Sequence, residues 1–197
     1  MSRIDKIPVE QWDPELREMA AADSATELER GALRMMAHCP EAAKGFVTFF
    51  AAMKRTRTLP ERLVELVRLR VAFHNQCRSC MAIRYRDAVE DGISEGLVCS
   101  LEKPMEADDL TAAEKAAIDY ADRFATDHLA IDDRTYDDLR AHFSEAQIVE
   151  LGMFVAVCVG FGRLAATWDM VEELPDGFRD RSAARISPSS GAPIVVR

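Results

Sequence analysis

The stretch ELVRLRVAFHNQCRSCMAIR, residues 65–84, joins an apolar run of helical period to two cysteines three positions apart. Leu63, Val64, Leu66, Val67, Leu69, Val71 and Phe73 cover more than one face of a helix, which predicts deep burial rather than a surface helix. Pro60, after Thr58 and Leu59, opens that helix, and it reads to about His74. Glu61, Glu65, Arg68 and Arg70 must then find water, partners or a pocket, and Glu65 lies inside the apolar stretch, twelve residues before Cys77. A second helix is expected from Cys77 to about Glu90, stopped at Asp91-Gly92. A Cys-x-x-Cys pair at a helix start is a redox device, because unpaired N–H groups and the positive end of the helix dipole stabilise a thiolate.

Working outward, the same helical punctuation recurs. Pro40 can serve as the first residue of a helix through Phe46, Phe49 and Phe50, and Ser94 caps a short helix through Val98. Thr111-x-x-Glu114 and Ser144-x-x-Gln147 are capping boxes, in which the cap hydroxyl and the side chain three residues on each satisfy an exposed N–H. They start helices reaching about Asp127 and Met170, with a short helix from Arg134 to His142 between them. No alternating apolar–polar run is long enough for a sheet, so the expected class is all-α. The chain divides into an N-terminal arm (1–24) with a helical turn or two around Glu15, a helical domain (25–174) and a C-terminal tail (175–197). The tail mixes proline, glycine, serine and charge without period, and is expected to pack on a neighbour or stay mobile.

Composition narrows the function. A chain of 197 residues, 48% hydrophobic, can bury a substantial core in one domain, and a net charge of -9 with no basic run argues against a nucleic-acid partner. The first residues are polar and charged with no apolar leader, which predicts a cytoplasmic protein. The apolar stretch LGMFVAVCVGFG, Leu151 to Gly162, is shorter than the roughly 18–20 residues of a bilayer span, so it reads as a buried core helix and no membrane span is expected. Five cysteines make an odd set, against a structural disulfide framework, and any disulfide should be catalytic or regulatory. Zinc is disfavoured, since one Cys-x-x-Cys with His74 offers at most three nearby ligands; neither metal nor cofactor is expected.

Glu65, Asn75, Cys77 and Cys80 within LPERLVELVRLRVAFHNQCRSC resemble the alkylhydroperoxidase-D-like members of the carboxymuconolactone decarboxylase superfamily. The segments HCPEAAKGFVTFFAAMKR, DDLTAAEKAAIDYADRFA and FSEAQIVELGMFVAVCVGFGRLA extend the likeness over roughly Leu33 to Ala166. The resemblance implies an all-helical bundle that assembles into homo-oligomers, and thiol-dependent peroxide reduction in which Cys80 attacks, Cys77 resolves and Glu65 is the distal member of a proton relay. The family histidine four residues after the second cysteine is Arg84 here, and one found between the cysteines in some members is Ser79. An arginine one helical turn from Cys80 can stabilise a thiolate but cannot take its proton, so the family relay does not transfer as drawn.

Each candidate also has a plainer role. Cys77 and Cys80 can be small buried hydrophobes, and Glu65 a carboxylate salt-bridged to Arg68 or Arg70. His74 can replace the missing base or cap the preceding helix; Arg84 can bind an anion or pair with the thiolate. Arg86 points elsewhere, Tyr85 is core or interface, and Cys39, Cys99 and Cys158 read as ordinary buried cysteines. His38, His128 and His142 read as solvated or capping. On resemblance alone, Trp168 and the Phe161-Gly162-Arg163 turn line the pocket. The favoured function is a hydroperoxide-reducing thiol oxidoreductase served by an external dithiol. The alternatives are a lyase or decarboxylase in which Arg84 holds a small organic acid, or a non-catalytic redox-sensing oligomer.

Overall fold

A computed structural model describes residues 2–197. Local capping chemistry sets most of the helix starts. Asp13 accepts the Leu16 N–H to open α1 (Pro14–Met19), and Thr26 with Glu29 forms a capping box for α2 (Glu27–Arg30). After α3 (Leu33–Met36), Pro40 is the first residue of α4 (Pro40–Arg55), and Pro60 precedes α5 (Glu61–Asn75). A single turn, α6 (Arg78–Met81), carries the cysteines and runs into a short strand, β1 (Ile83–Tyr85), then α7 (Arg86–Glu90). Ser94 caps α8 (Glu95–Ser100), and the box at Thr111 and Glu114 opens α9 (Ala112–Thr126). Asp132 with Thr135 opens α10 (Asp133–Arg140), and Ser144 with Gln147 opens α11 (Glu145–Trp168). The chain closes with α12 (Asp176–Arg179) and a second strand, β2 (Ile194–Val196).

The fold is all-α, as its helical period predicts, with one two-stranded parallel ribbon added. Helix α5 is the central member, packed on α9 and α11. Leu66, Val67, Leu69 and Val71 meet Ala117, Ile118, Ala121, Leu151 and Val155 in one continuous core, each large side chain contributing about 1.5–3 kcal/mol by leaving water. The wide apolar coverage of α5 is thus explained inside the chain. Helix α11 is different. At 24 residues it is long and apolar enough, by length and composition, to cross a membrane, and only 39% of its most apolar window is buried. Val149, Met153, Phe161 and Leu164 remain exposed along it. The Leu151–Gly162 stretch is therefore half core and half surface, not the wholly buried helix its composition suggests.

Two expectations fail around the cysteines. The helix read from Cys77 to Glu90 stops at Met81, because residues 83–85 are extended and paired with the C-terminus, Ile83 opposite Ile194 and Tyr85 opposite Val196. The tail is correspondingly neither loose nor waiting for a neighbour. Phe178 is fully buried and, with Val171, Leu174 and Ile186, packs on Ala72, Met81 and Ala82. At its end Arg197 pairs with Glu29, whose carboxyl is held down to about 2 by that guanidinium and by the Thr26 N–H. The arm is equally attached: Trp12 and Leu16 pack with Ala37 and Ala43, while Met1 lies outside the described residues.

Candidate active site

Helix α5 ends when Gln76 turns left-handed (φ 51°), so that the Cys77 N–H closes back on the Ala72 carbonyl at 3.1 Å. The reversal sets Cys77 as the cap of α6, and one helical turn later Cys80 reaches it: the two form a disulfide with Cα atoms 5.2 Å apart. Their exposures differ. Cys77 is fully buried beside Met35, Ala165 and Met170, whereas Cys80 is half-buried and packs in the same cluster near Ala32, Ala166 and Trp168. A cleft of about 120 Å³, lined by Gln76, Arg78, Ser79, Ala165, Ala166 and Met170 among others, lies beside this turn.

Glu65 is brought to the cysteines indirectly. It is 2% exposed and grips Arg68 through two parallel contacts, Nε to Oε2 at 2.6 Å and Nη2 to Oε1 at 2.7 Å. Arg68 in turn donates to the Cys80 carbonyl at 2.6 Å and to the Ile83 carbonyl at 2.9 Å. The Tyr85 N–H donates to Glu65 at 3.4 Å, and the Tyr85 ring lies 5.1 Å from the Arg68 guanidinium carbon. Burial works against the Arg68 charge, but the Glu65 carboxylate more than offsets it and holds the guanidinium pKa above its ordinary value. Burial raises the Tyr85 hydroxyl and pushes the neighbouring Cys158 thiol up to about 12, so Cys158 stays protonated and is no rival nucleophile. Arg68 is the residue the sequence reading left in a plain salt-bridge role. Its signal was the i, i+3 spacing from Glu65 inside an apolar run.

His74 and Arg84 hydrogen-bond elsewhere. His74 Nε2 lies 2.7 Å from Asp122 Oδ1 on α9, and the same carboxylate takes two contacts from Arg70, at 2.6 and 2.9 Å. Burial would raise the Asp122 carboxyl, but His74 and Arg70 outweigh it and hold it below the ordinary range. This triad ties α5 to α9. Arg84 no longer stands one helical turn from Cys80, because the helix has ended at Met81. Its guanidinium, 1% exposed, is filled by Glu95 (2.9 and 3.0 Å) and by the carbonyls of Met81, Ile83 and Pro188 (2.7, 2.9 and 2.9 Å). Arg84→Ala removes the arginine donor from the Met81 and Pro188 carbonyls and from Glu95, leaving Ile83 with Arg68 alone, and should cost about 3 kcal/mol, read as a fall in the urea midpoint.

Of the other candidates, Trp168 does pack against the cysteine cluster, while Phe161 is turned to Phe46, with ring centroids 4.3 Å apart. Arg163 donates to Asn75 at 3.2 Å and fastens α11 to the end of α5. Cys39 and Cys99 are exposed, not buried, because each sits at a helix end rather than on a core face.

Residues 40–123, which hold α4, α5, the cysteine turn and most of α9, match the family described as Carboxymuconolactone decarboxylase family. That segment, under half of the chain, is what resembles the family. Two uncharacterized proteins of Mycobacterium tuberculosis, from strains CDC 1551 / Oshkosh and H37Rv, are each 37% identical to it over 108 residues. Those residues are 54% of this chain but 37% of either relative, so the chain spans little more than a third of the curated relatives it matches. The helical fold of this chain also recurs in the alkylhydroperoxidase AhpD core of an uncharacterized peroxidase-related protein from Ralstonia eutropha JMP134. The TM-score is 0.71 over 90% of this chain and 94% of that one, at 18% identity, a likeness of fold. The Cys77–Cys80 disulfide lies within the segment that matches the family.

Proposed function

We propose that the chain is a thiol-dependent oxidoreductase that reduces hydroperoxides at Cys80 and is recycled by an external dithiol. The observation that carries this is the unequal burial of the disulfide. Half-buried Cys80 is the more accessible of the two and is assigned the attack, and fully buried Cys77 the resolving step. The Cys80 thiolate attacks one oxygen of the peroxide, an S–O bond forms as the O–O bond breaks, and the alcohol leaves with a proton from water. Cys77 then attacks the sulfenic sulfur and water departs, closing the Cys77–Cys80 bridge. A dithiol reopens it by attack at Cys80, releasing Cys77, and is itself oxidised to a disulfide. Arg68, bonded to the Cys80 carbonyl and oriented by Glu65, fixes the backbone that carries the attacking sulfur. The peroxidase-related description of the Ralstonia protein supports the same class. The lyase reading needed a free Arg84 fork, and that fork is filled.

The test is peroxide loss by the wild-type protein with and without dithiothreitol. Turnover is expected only with the dithiol. A bridge that opens and closes without consuming peroxide would favour the redox-sensing alternative instead.

The second copy expected of a homo-oligomer is proposed to cover the exposed apolar face of α11, where Val149, Met153 and Leu164 lie at helical spacing and Phe161 continues into Phe46 and Phe50 of α4. Sedimentation at micromolar protein should show a discrete oligomer, and Met153→Glu should break it into monomers. A wild-type monomer would refute this assembly.

A further inference from the structure

Four residues around the disulfide, Gln76, Arg78, Met81 and Ala82, are held by the last part of the chain. Gln76 exchanges two hydrogen bonds with Ile186, its Oε1 accepting the Ile186 N–H at 2.9 Å and its Nε2 donating to the Ile186 carbonyl at 3.2 Å. Arg78, between the two cysteines, donates to the carbonyls of Phe178 (3.3 Å) and Ala183 (2.7 Å), and also to that of Asp180. Ala82 accepts the Ile194 N–H at 2.8 Å, and Met81 packs on the tail's buried Phe178. The turn they hold is four residues long. A helix so short has no stability of its own, so its shape must be imposed from outside. Besides the Arg68 hydrogen bond to the Cys80 carbonyl, two constraints act on it: the Cys77–Cys80 bridge on one side and the tail on the other.

We propose that the C-terminal segment Pro175–Val196 is a working part of the thiol site, with Arg78 and Gln76 as positioning residues through which it sets the equilibrium between the Cys77–Cys80 disulfide and the dithiol. Both constraints favour the same turn, so each strengthens the other. Docking of the tail keeps the two sulfurs at bridging distance, and the closed bridge keeps the carbonyl acceptors of the tail matched to Arg78. Such coupling is reciprocal by thermodynamic necessity. Loosening the tail must make the disulfide easier to reduce, and reducing the disulfide must loosen the tail. The proposal rests on the reversible bridge of the proposed function, not on peroxide as its oxidant.

Two substitutions in the full-length protein loosen the tail without touching a cysteine. Arg78→Met keeps the aliphatic stem and removes the fork. Gly177→Ala acts from the other side, since a Cβ there would stand 2.4 Å from the Ser190 carbonyl oxygen and 2.9 Å from the Gly191 Cα. Each protein is equilibrated in mixtures of reduced and oxidised dithiothreitol, and the dithiol fraction is read by alkylation and mass spectrometry. The bridge closes or opens by exchange of two electrons and two protons with dithiothreitol, so the constant is read directly. Both variants are expected to shift that constant roughly tenfold toward the dithiol, which is about 30 mV for a two-electron couple. In the wild type, the Ile186 and Ile194 amides are expected to exchange hydrogen faster once the bridge is reduced. That measurement needs no variant and stands if a variant fails to fold. Equal exchange in the two redox states, or an unchanged equilibrium in variants of wild-type helicity, would overturn the proposal. Peroxide consumption measured alongside separates the two readings: turnover with an unchanged equilibrium refutes only the tail, and a shifted equilibrium without turnover refutes only the peroxidase.

Discussion

Cys80→Ser is expected to lower dithiol-dependent peroxide turnover by roughly a thousandfold or more, because the nucleophile of every cycle is gone and a serine hydroxyl does not ionise near neutrality. Cys77→Ser should behave differently. With no dithiol present, Cys80 is then still oxidised once, so about one equivalent of peroxide disappears and the sulfenic acid persists long enough to be trapped by dimedone and weighed. The asymmetry follows from burial: Cys77 has no exposed surface from which to attack a peroxide, while Cys80 has some. Stopped-assay peroxide counts on both variants check it. Near-wild-type turnover by Cys80→Ser would end the peroxidase reading, and equal single-equivalent oxidation of both variants would reverse the roles given to the two sulfurs.

Arg68→Met should be the most destabilising single change near the site. It leaves the Glu65 carboxylate, 2% exposed, without its cation, removes the arginine donor to the Cys80 carbonyl, and leaves the Ile83 carbonyl with Arg84 alone. Breaking a buried pair from one side costs about 3–5 kcal/mol, or roughly 10 °C in Tm for a domain of this size. The pH dependence gives the change a signature. A buried carboxylate without a partner binds its proton more tightly in the folded chain than in the unfolded one. The loss is therefore larger at pH 7 than at pH 5 and shrinks as pH falls toward the unfolded carboxylate value near about 4.3. Urea unfolding of the variant at pH 7 and pH 5 measures this, and Glu65→Gln added to Arg68→Met should recover part of the loss. A penalty below about 1 kcal/mol, or one that does not move with pH, would show that the pair does not hold the turn.

How far the sequence reached can be judged element by element. The boxes at Thr111 and Ser144 form as read, because a capping box is chemistry among four consecutive residues and needs nothing from the rest of the chain. The burial of α5 was legible for a related reason: its apolar residues cover more than one face of the helix, which a surface helix does not do. The Cys-x-x-Cys pair was legible as a pair, since a three-residue separation at a helix start brings two sulfurs within reach. The helix beyond it was not. MAIRYRDAVE reads as helix by propensity, yet Ile83 to Tyr85 gain a partner strand 111 residues away in register, and that pairing outweighs local preference.

Arg84 shows the same limit in one residue. Seen along the chain, it lies four positions from a reactive cysteine and takes the place of a family histidine. In the folded protein its guanidinium is divided among Glu95, Met81, Ile83 and the distant Pro188, and the cation bonded to Cys80 is Arg68 instead. Helical period, caps, the cysteine spacing and the apolar path of α5 are local quantities, and the sequence determined them. Which arginine meets which carboxylate, where the cysteine helix ends, and whether an aperiodic tail is loose or part of the site depend on contacts between residues far apart in the chain, whose energies exist only once the core has formed. Those the tertiary structure alone decided.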